Sequence, residues 1–298
     1  MHNGQLLDIQ PVPMPQNIHN MMRRTLSAAE FASFVGVQMF SVTYLSDGLR
    51  IKGFLALPPA NQSGMYPGLI FNRGGTGERG ALTAESAFAY AGLYASWGYV
   101  TVASNYRGHG GSEGTEEWGG HDVDDAMNCI ELLRGLGYVD MNRVGLIGGS
   151  RGGMMAYMML RQTNIFKAAV TIGAPTMLHT TDNHAYIRKT FAKFVPHDID
   201  ITDELKKRSV VVWANELCPT TPLLITHGTG DKRVLAEHSL MLALELQKNF
   251  HPYRLIMYEN ADHILAGRRT ESNNDIRWWV DTFVRDSAPL PKTGLHGA

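Results

Sequence analysis

The segment Gly148-Gly149-Ser150-Arg151-Gly152-Gly153 frames one hydroxyl as G-x-S-x-G, between the apolar run 144–147 and a methionine-rich apolar run. A serine on so tight a strand-to-helix turn needs glycine two positions before and after it, because larger side chains would collide. Its hydroxyl then stands exposed at a helix N-terminus, where it can attack a carbonyl. The frame alone is short enough to arise by chance, but two further residues extend it. Asp231 lies in His227-Gly228-Thr229-Gly230-Asp231 after the run 223–226, and His263 ends Glu259-Asn260-Ala261-Asp262-His263 after the run 255–258. Nucleophile, acid and base thus occur in the order Ser, Asp, His, each just past a strand-like run. The chemistry this order predicts is acyl transfer, in which Ser150 would attack, His263 would take its proton and return it to the leaving group, and Asp231 would fix the imidazole tautomer and stabilise the cation.

Competing readings of these residues are weaker. A dinucleotide fingerprint fails because its third required glycine position is Ser150, and a P-loop starting at Gly75 fails because Ala81 stands where lysine must be. Asp262 adjoins His263, but sequence neighbours rarely face each other, so Asp231 is the better acid. His238 falls inside a helical pattern and His251 precedes its strand, at the wrong end of a sheet. His227 comes too early in the order and is read as shaping the acid loop. The methionines Met154, Met155, Met158 and Met159 make their helix apolar nearly all round, which marks core.

The elements that must position these residues alternate. Runs at 37–44 and 50–57 flank Ser46-Asp47-Gly48 as an antiparallel hairpin. Strand-like runs follow at 68–72, 100–105, 144–148, 168–172, 223–226 and 255–258, separated by helical patterns. In one helix Val123, Ala126, Met127, Ile130 and Leu133 share a face; in the last, Ile276, Trp279, Val280 and Phe283 do. Such alternation predicts an α/β fold with a mostly parallel sheet covered on both faces, and ligands beyond the carboxyl ends of its strands. Residues 1–35 read as a surface arm whose first half Pro11, Pro13 and Pro15 keep irregular, with a short helix over 27–34. The hydrolytic core is expected at 36–286 and a loose tail at 287–298. Within the core, 176–221 is too long for a plain connection and reads as a small helical cap carrying Tyr186, Ile187, Phe191 and Phe194; a peripheral packing helix is the alternative.

The 298 residues carry 27 Lys+Arg against 28 Asp+Glu, which argues against a nucleic-acid binder. No apolar stretch approaches the length of a membrane helix, and the first residues lack a secretory pattern. Two cysteines, Cys129 and Cys218, make no disulfide framework and suit a reducing cytoplasm. His179, His184 and His197 lack metal-ligand spacing, so no metal and no cofactor are expected.

With these residues placed, the chain resembles the catalytic domain of the prolyl-oligopeptidase family of α/β-hydrolases. The likeness runs from about Val37 to Phe283 and is carried by Ser46-Asp47-Gly48, Gly53, Asn105-Tyr106-Arg107-Gly108, Gly110-Gly111-Ser112-Glu113-Gly114, Gly148 to Gly153, Arg208-Ser209, Pro222-Leu223-Leu224, the Asp231 segment and His263. It implies an α/β-hydrolase fold and an oxyanion hole made of the backbone N–H groups of Arg151 and Gly75, with Gly74 as the fallback. Two features depart from the family pattern: its peptidases usually carry a β-propeller, for which about 35 leading residues are too few, and they often have Tyr where Arg151 stands. Arg73-Gly74-Gly75 also replaces a common His-Gly-Gly. Arg73, Tyr106 and Tyr186 are the candidate substrate contacts. Arg73 and Arg151 either favour anionic substrates or pair locally, and Arg107 is read as a structural bridge to Asp122 or Asp125. The expectation is therefore a serine hydrolase of small or medium carboxylic esters. The alternatives are an aminopeptidase or oligopeptidase acting on short peptides, and a catalytically silent binding module.

Overall fold

Asp47 and Gly48 both adopt positive φ, 52° and 84°, as a two-residue hairpin turn requires. They join β2 (Gln38–Ser46) to β3 (Leu49–Leu57) in unbroken antiparallel register, with Ser46 opposite Leu49 and Gln38 opposite Leu57. The computed structural model describes residues 2–59, 64–180, 189, 191–194 and 200–294. It forms two compact units, Met1–Glu116 with Gly120–Leu146, and Glu117–Gly119 with Ile147–Ala298.

In the first unit, β1 (Leu6–Val12) pairs antiparallel with β2, and β3 pairs antiparallel with β5 (Val100–Ser104), which lies parallel to β4 (Tyr66–Asn72). Here the expectation of an irregular leading half is corrected. Pro11 sits within β1 opposite Phe40, and an edge strand tolerates the missing donor. Pro15 caps α1 (Gln16–Thr25), which buries Ile18 and Met22. α2 (Ala28–Val35) follows through a reciprocal cap between Ser27 and Glu30 and buries Phe34. β1, α1 and α2 are thus regular elements, the two helices anchored by Ile18, Met22 and Phe34. α3 (Asp122–Gly135) opens on Asp122, Asp124 and Asp125 and closes with Arg134, the charge order that the helix dipole favours. Its buried Asp125 accepts from the backbone N–H and guanidinium of Arg107 and from the Ser46 hydroxyl. Arg107 also pairs with Asp47 at 2.9 Å, which ties the hairpin turn to the helix.

Strand β6 (Val139–Gly149) runs from the first unit into the second. There α4 (Arg151–Leu160) follows it, with Met154, Met155, Met159 and Leu160 inaccessible to solvent. β7 (Phe166–Ile172), β8 (Leu223–Gly228) and β9 (Tyr253–Tyr258) lie parallel, Ile172 opposite Thr226 and Thr226 opposite Ile256. Between β7 and β8 comes α5 (Ile201–Lys207), capped by the Asp200 side chain. α6 (Glu237–Lys248) and α7 (Arg269–Val280) then flank β9 in sequence. The helix expected around 186–196 falls largely outside the described residues, as do Tyr186, His184 and His197. Phe191 is described: fully buried, it packs edge-on against Trp118 at 5.9 Å and beneath the Arg208 guanidinium at 4.5 Å. Among the described residues no helix is long and apolar enough to cross a membrane.

Candidate active site

Ser150 stands at φ 52°, ψ −124° between β6 and α4, a backbone state costing a non-glycine residue of order 1–3 kcal/mol. Backbone bonds hold it there: its N–H donates to the Ile172 carbonyl at 2.7 Å, and its carbonyl accepts from the N–H groups of Gly153 at 2.9 Å and Met154 at 3.3 Å. Gly148, two positions before the serine, and Gly153, in the first turn of α4, are dictated by contact. A Cβ at Gly148 would lie 2.3 Å from the Gly152 carbonyl oxygen, and one at Gly153 would lie 2.5 Å from the Ala174 Cβ.

The acid and base loops are stitched together by their backbones. Thr229 N–H donates to the Tyr258 carbonyl, Gly230 N–H to that of Ala261, and Asn260 N–H to the Thr229 hydroxyl. A Cβ at Gly228 would lie 2.2 Å from the Ala261 carbonyl oxygen, so the approach exists only because that position is glycine. Tyr258, Ala261 and Leu265 form a small apolar cluster with Ile172 and Ile256 under the loop. Asp262 accepts from the N–H groups of Ile264 and Ala266. It therefore shapes its own loop.

The three side chains converge. His263 Nε2 lies 2.9 Å from Ser150 Oγ, and His263 Nδ1 lies 2.7 Å from Asp231 Oδ2. A carboxylate can only accept, so Nδ1 carries the hydrogen and Nε2 is left with a lone pair facing the Ser150 hydroxyl. The Asp231 side chain is fully buried, against 11% exposure for that of His263, so the carboxylate is enclosed while the imidazole reaches the surface. Burial alone would raise the Asp231 carboxyl. The neighbouring N–H of His227, that of His263 and the amides of Val234 and Arg233 outweigh it and hold the group well below the usual carboxylate range. It is ionised throughout the neutral range.

One residue escaped the sequence reading. Gly173, directly after β7, has φ 55°, and a Cβ there would meet Asp231 Oδ2, His263 Nδ1 and the His263 carbonyl oxygen, each at 3.4 Å. It is the floor under the acid–base pair. Its only signal in the sequence is a glycine closing a buried strand.

Arg151 begins α4 and is 2% exposed, its guanidinium 6.0 Å from the Trp118 ring centre. Its N–H belongs to the helix's first turn, where amides lack a carbonyl of their own helix. Arg73, Gly74, Gly75 and Tyr106 lie in the first unit. There the Arg73 guanidinium donates to the Asn105 carbonyl at 2.6 and 3.2 Å and to that of Gly74, and it stacks on the buried Tyr106 ring at 4.7 Å. Tyr106 returns a bond from its hydroxyl to the Arg73 carbonyl. Arg73 thus binds the turn after β4 to the loop after β5. Gly75, at φ 79°, packs on Gly80 so closely that a Cβ would lie 2.7 Å from the Gly80 Cα.

The prolyl oligopeptidase family model, Peptidase_S9, matches residues 86–284. The chain belongs to the prolyl oligopeptidase family. Its α/β-hydrolase fold is shared by solved structures. Those of a Mycobacterium tuberculosis puromycin-hydrolyzing peptidase and of Pyrococcus horikoshii acylaminoacyl peptidase both superpose with a TM-score of 0.70, at 22% and 21% identity, over 87% and 94% of this chain. Among sequence relatives, the uncharacterized peptidase YtmA of Bacillus subtilis is 29% identical over 76% of this chain and 86% of its own length. The uncharacterized peptidase YuxL of the same organism is 32% identical over 80% of this chain, which spans 38% of that protein. The chain also spans only 40% and 45% of the two solved structures. A serine hydrolase is the enzyme class that this membership gives.

Proposed function

We propose that the chain is a serine peptidase cleaving short peptides through an acyl-enzyme formed on Ser150, with His263 as general base and acid and Asp231 as its orienting carboxylate. The observation that carries this reading is the continuous chain of contacts from Ser150 Oγ through both imidazole nitrogens to Asp231 Oδ2, at 2.9 and 2.7 Å. The Arg151 amide, at the head of α4, is the oxyanion donor on the same unit; such a donor contributes on the order of 3 kcal/mol to transition-state stabilisation. The second donor expected from sequence, Gly75 or Gly74, remains part of the proposal on motif grounds.

The choice of amide over ester rests on the relatives, which are peptidases by name. It reverses the preference read from sequence, where Arg151 and Arg73-Gly74-Gly75 weighed against a peptidase. A peptidase must protonate a poor amine leaving group, and His263, hydrogen-bonded to Ser150 and anchored by Asp231, is placed to return that proton. Labelling with a fluorophosphonate, mapped by peptide mass, should mark Ser150 alone. Aminoacyl p-nitroanilides should be turned over alongside p-nitrophenyl esters, and Ser150→Ala should abolish both activities. Ester turnover with no anilide or peptide cleavage would return the assignment to an esterase.

A further inference from the structure

Behind the proposed triad stands a second imidazole that the three-residue mechanism leaves without a task. His227, at the end of β8, is fully buried. Its Nε2 lies 2.9 Å from the Val234 carbonyl oxygen and 3.2 Å from Asp231 Oδ2, the same oxygen that receives His263 Nδ1. Its Nδ1 lies 2.6 Å from the hydroxyl of Ser239 in the first turn of α6. Both atoms facing Nε2 are oxygens that only accept, so Nε2 carries a hydrogen. In the neutral ring Nδ1 then accepts the Ser239 proton. The opposite tautomer would turn a lone pair towards two oxygens, so those oxygens select this one and the Ser239 hydroxyl complements it as a donor.

We infer that His227 is a positioning residue for the reaction, acting through Asp231. The two oxygens of Asp231 are held differently. Oδ1 accepts the amides of Arg233 and Val234, which fix it to its own loop. Oδ2 lies between two imidazoles. The His227 N–H therefore sets the plane in which Oδ2 meets His263 Nδ1, and it draws off part of the charge that would otherwise concentrate on the bond to His263. This inference rests on the triad assignment proposed above.

His227→Phe keeps a ring of similar breadth and removes the N–H. With p-nitroanilide substrates, kcat is expected to fall roughly tenfold to a hundredfold, the range for loss of a hydrogen bond to a charged group, while KM stays within about twofold because His227 touches no substrate. The acidic limb of the kcat/KM profile should move to higher pH, since an unshared carboxylate holds the His263 imidazolium more tightly. His227→Gln, whose amide nitrogen can take the place of Nε2, should restore most of kcat and return the limb. Ser239→Ala should shift both quantities in the same direction by less, and it decides the matter if His227→Phe does not fold. Turnover remaining in Ser150→Ala would overturn the triad and this inference with it. With Ser150→Ala inactive, an unmoved limb or a wild-type kcat in His227→Phe, or in Ser239→Ala where that variant decides, overturns the role of His227 alone.

Discussion

Replacing Asp231 by asparagine changes one atom, and the surroundings dictate how that atom must sit. Oδ1 accepts two backbone amides, from Arg233 at 2.8 Å and Val234 at 3.0 Å, so the new amide must keep its oxygen there and turn its NH2 towards His263 and His227. His263 Nδ1, now facing a donor at about the 2.7 Å of the native contact, must present a lone pair. The ring hydrogen moves to Nε2, which then faces Ser150 as a donor and cannot accept its proton. Loss of the correct tautomer in such a triad lowers kcat by about 10⁴, or roughly 5.5 kcal/mol. A second cost falls on folding. The His227 N–H, 3.2 Å from Oδ2, keeps the Val234 carbonyl but exchanges its charged acceptor for a donor, which destabilises by about 1–3 kcal/mol. Single-turnover and steady-state hydrolysis of p-nitroanilides measures the first effect, and urea unfolding followed by tryptophan fluorescence measures the second. A variant within tenfold of wild-type kcat would refute the tautomer argument, and one of unchanged stability would refute the orientation assigned to the new amide.

Three further perturbations follow from particular contacts. Gly228→Ala sets a methyl 2.2 Å from the Ala261 carbonyl, so the acid and base loops must part; both thermal stability and kcat should fall, and a variant matching wild type in either would contradict the packing. Arg107→Met leaves the buried Asp125 carboxylate without its guanidinium, a loss of about 3–5 kcal/mol that thermal denaturation at neutral pH should show. His251, 6% exposed and donating to the Thr221 carbonyl, has its pKa lowered by burial. Its folded value thus lies below the unfolded one of about 6.5, and between the two the unfolded chain binds a proton that the folded chain lacks. Stability should fall as pH drops through that window, and His251→Gln should flatten this slope; an unchanged slope in urea titrations would remove His251 from the account.

Much of this architecture was legible in the chain because buried strands announce themselves. The runs at 68–72, 100–105 and 168–172 are apolar and bounded by glycine or polar residues, and β4, β5 and β7 occupy them. β6 begins earlier than its apolar run because Val139 to Arg143 mixes polar residues into a strand whose first half is only partly buried. β1 was hidden by Pro11, since the usual meaning of a proline is reversed at an edge. At the site, Ser150, Asp231 and His263 were readable because each is a reactive type just past a strand. Gly173 was not, since a glycine that supports two other side chains looks like any other turn residue. Nor could the sequence show that Arg73 would turn to the Asn105 carbonyl, because that contact joins loops 32 residues apart.

The same proline bears on how the molecule behaves at high concentration. β1 ends the strand order on one side, and an open border of this kind can recruit a neighbouring chain into a growing ladder. Pro11 offers no N–H to such a neighbour and fixes its own backbone angle. Replacing it would complete the row of donors along that border, and self-association into sheet-rich aggregates should then begin there.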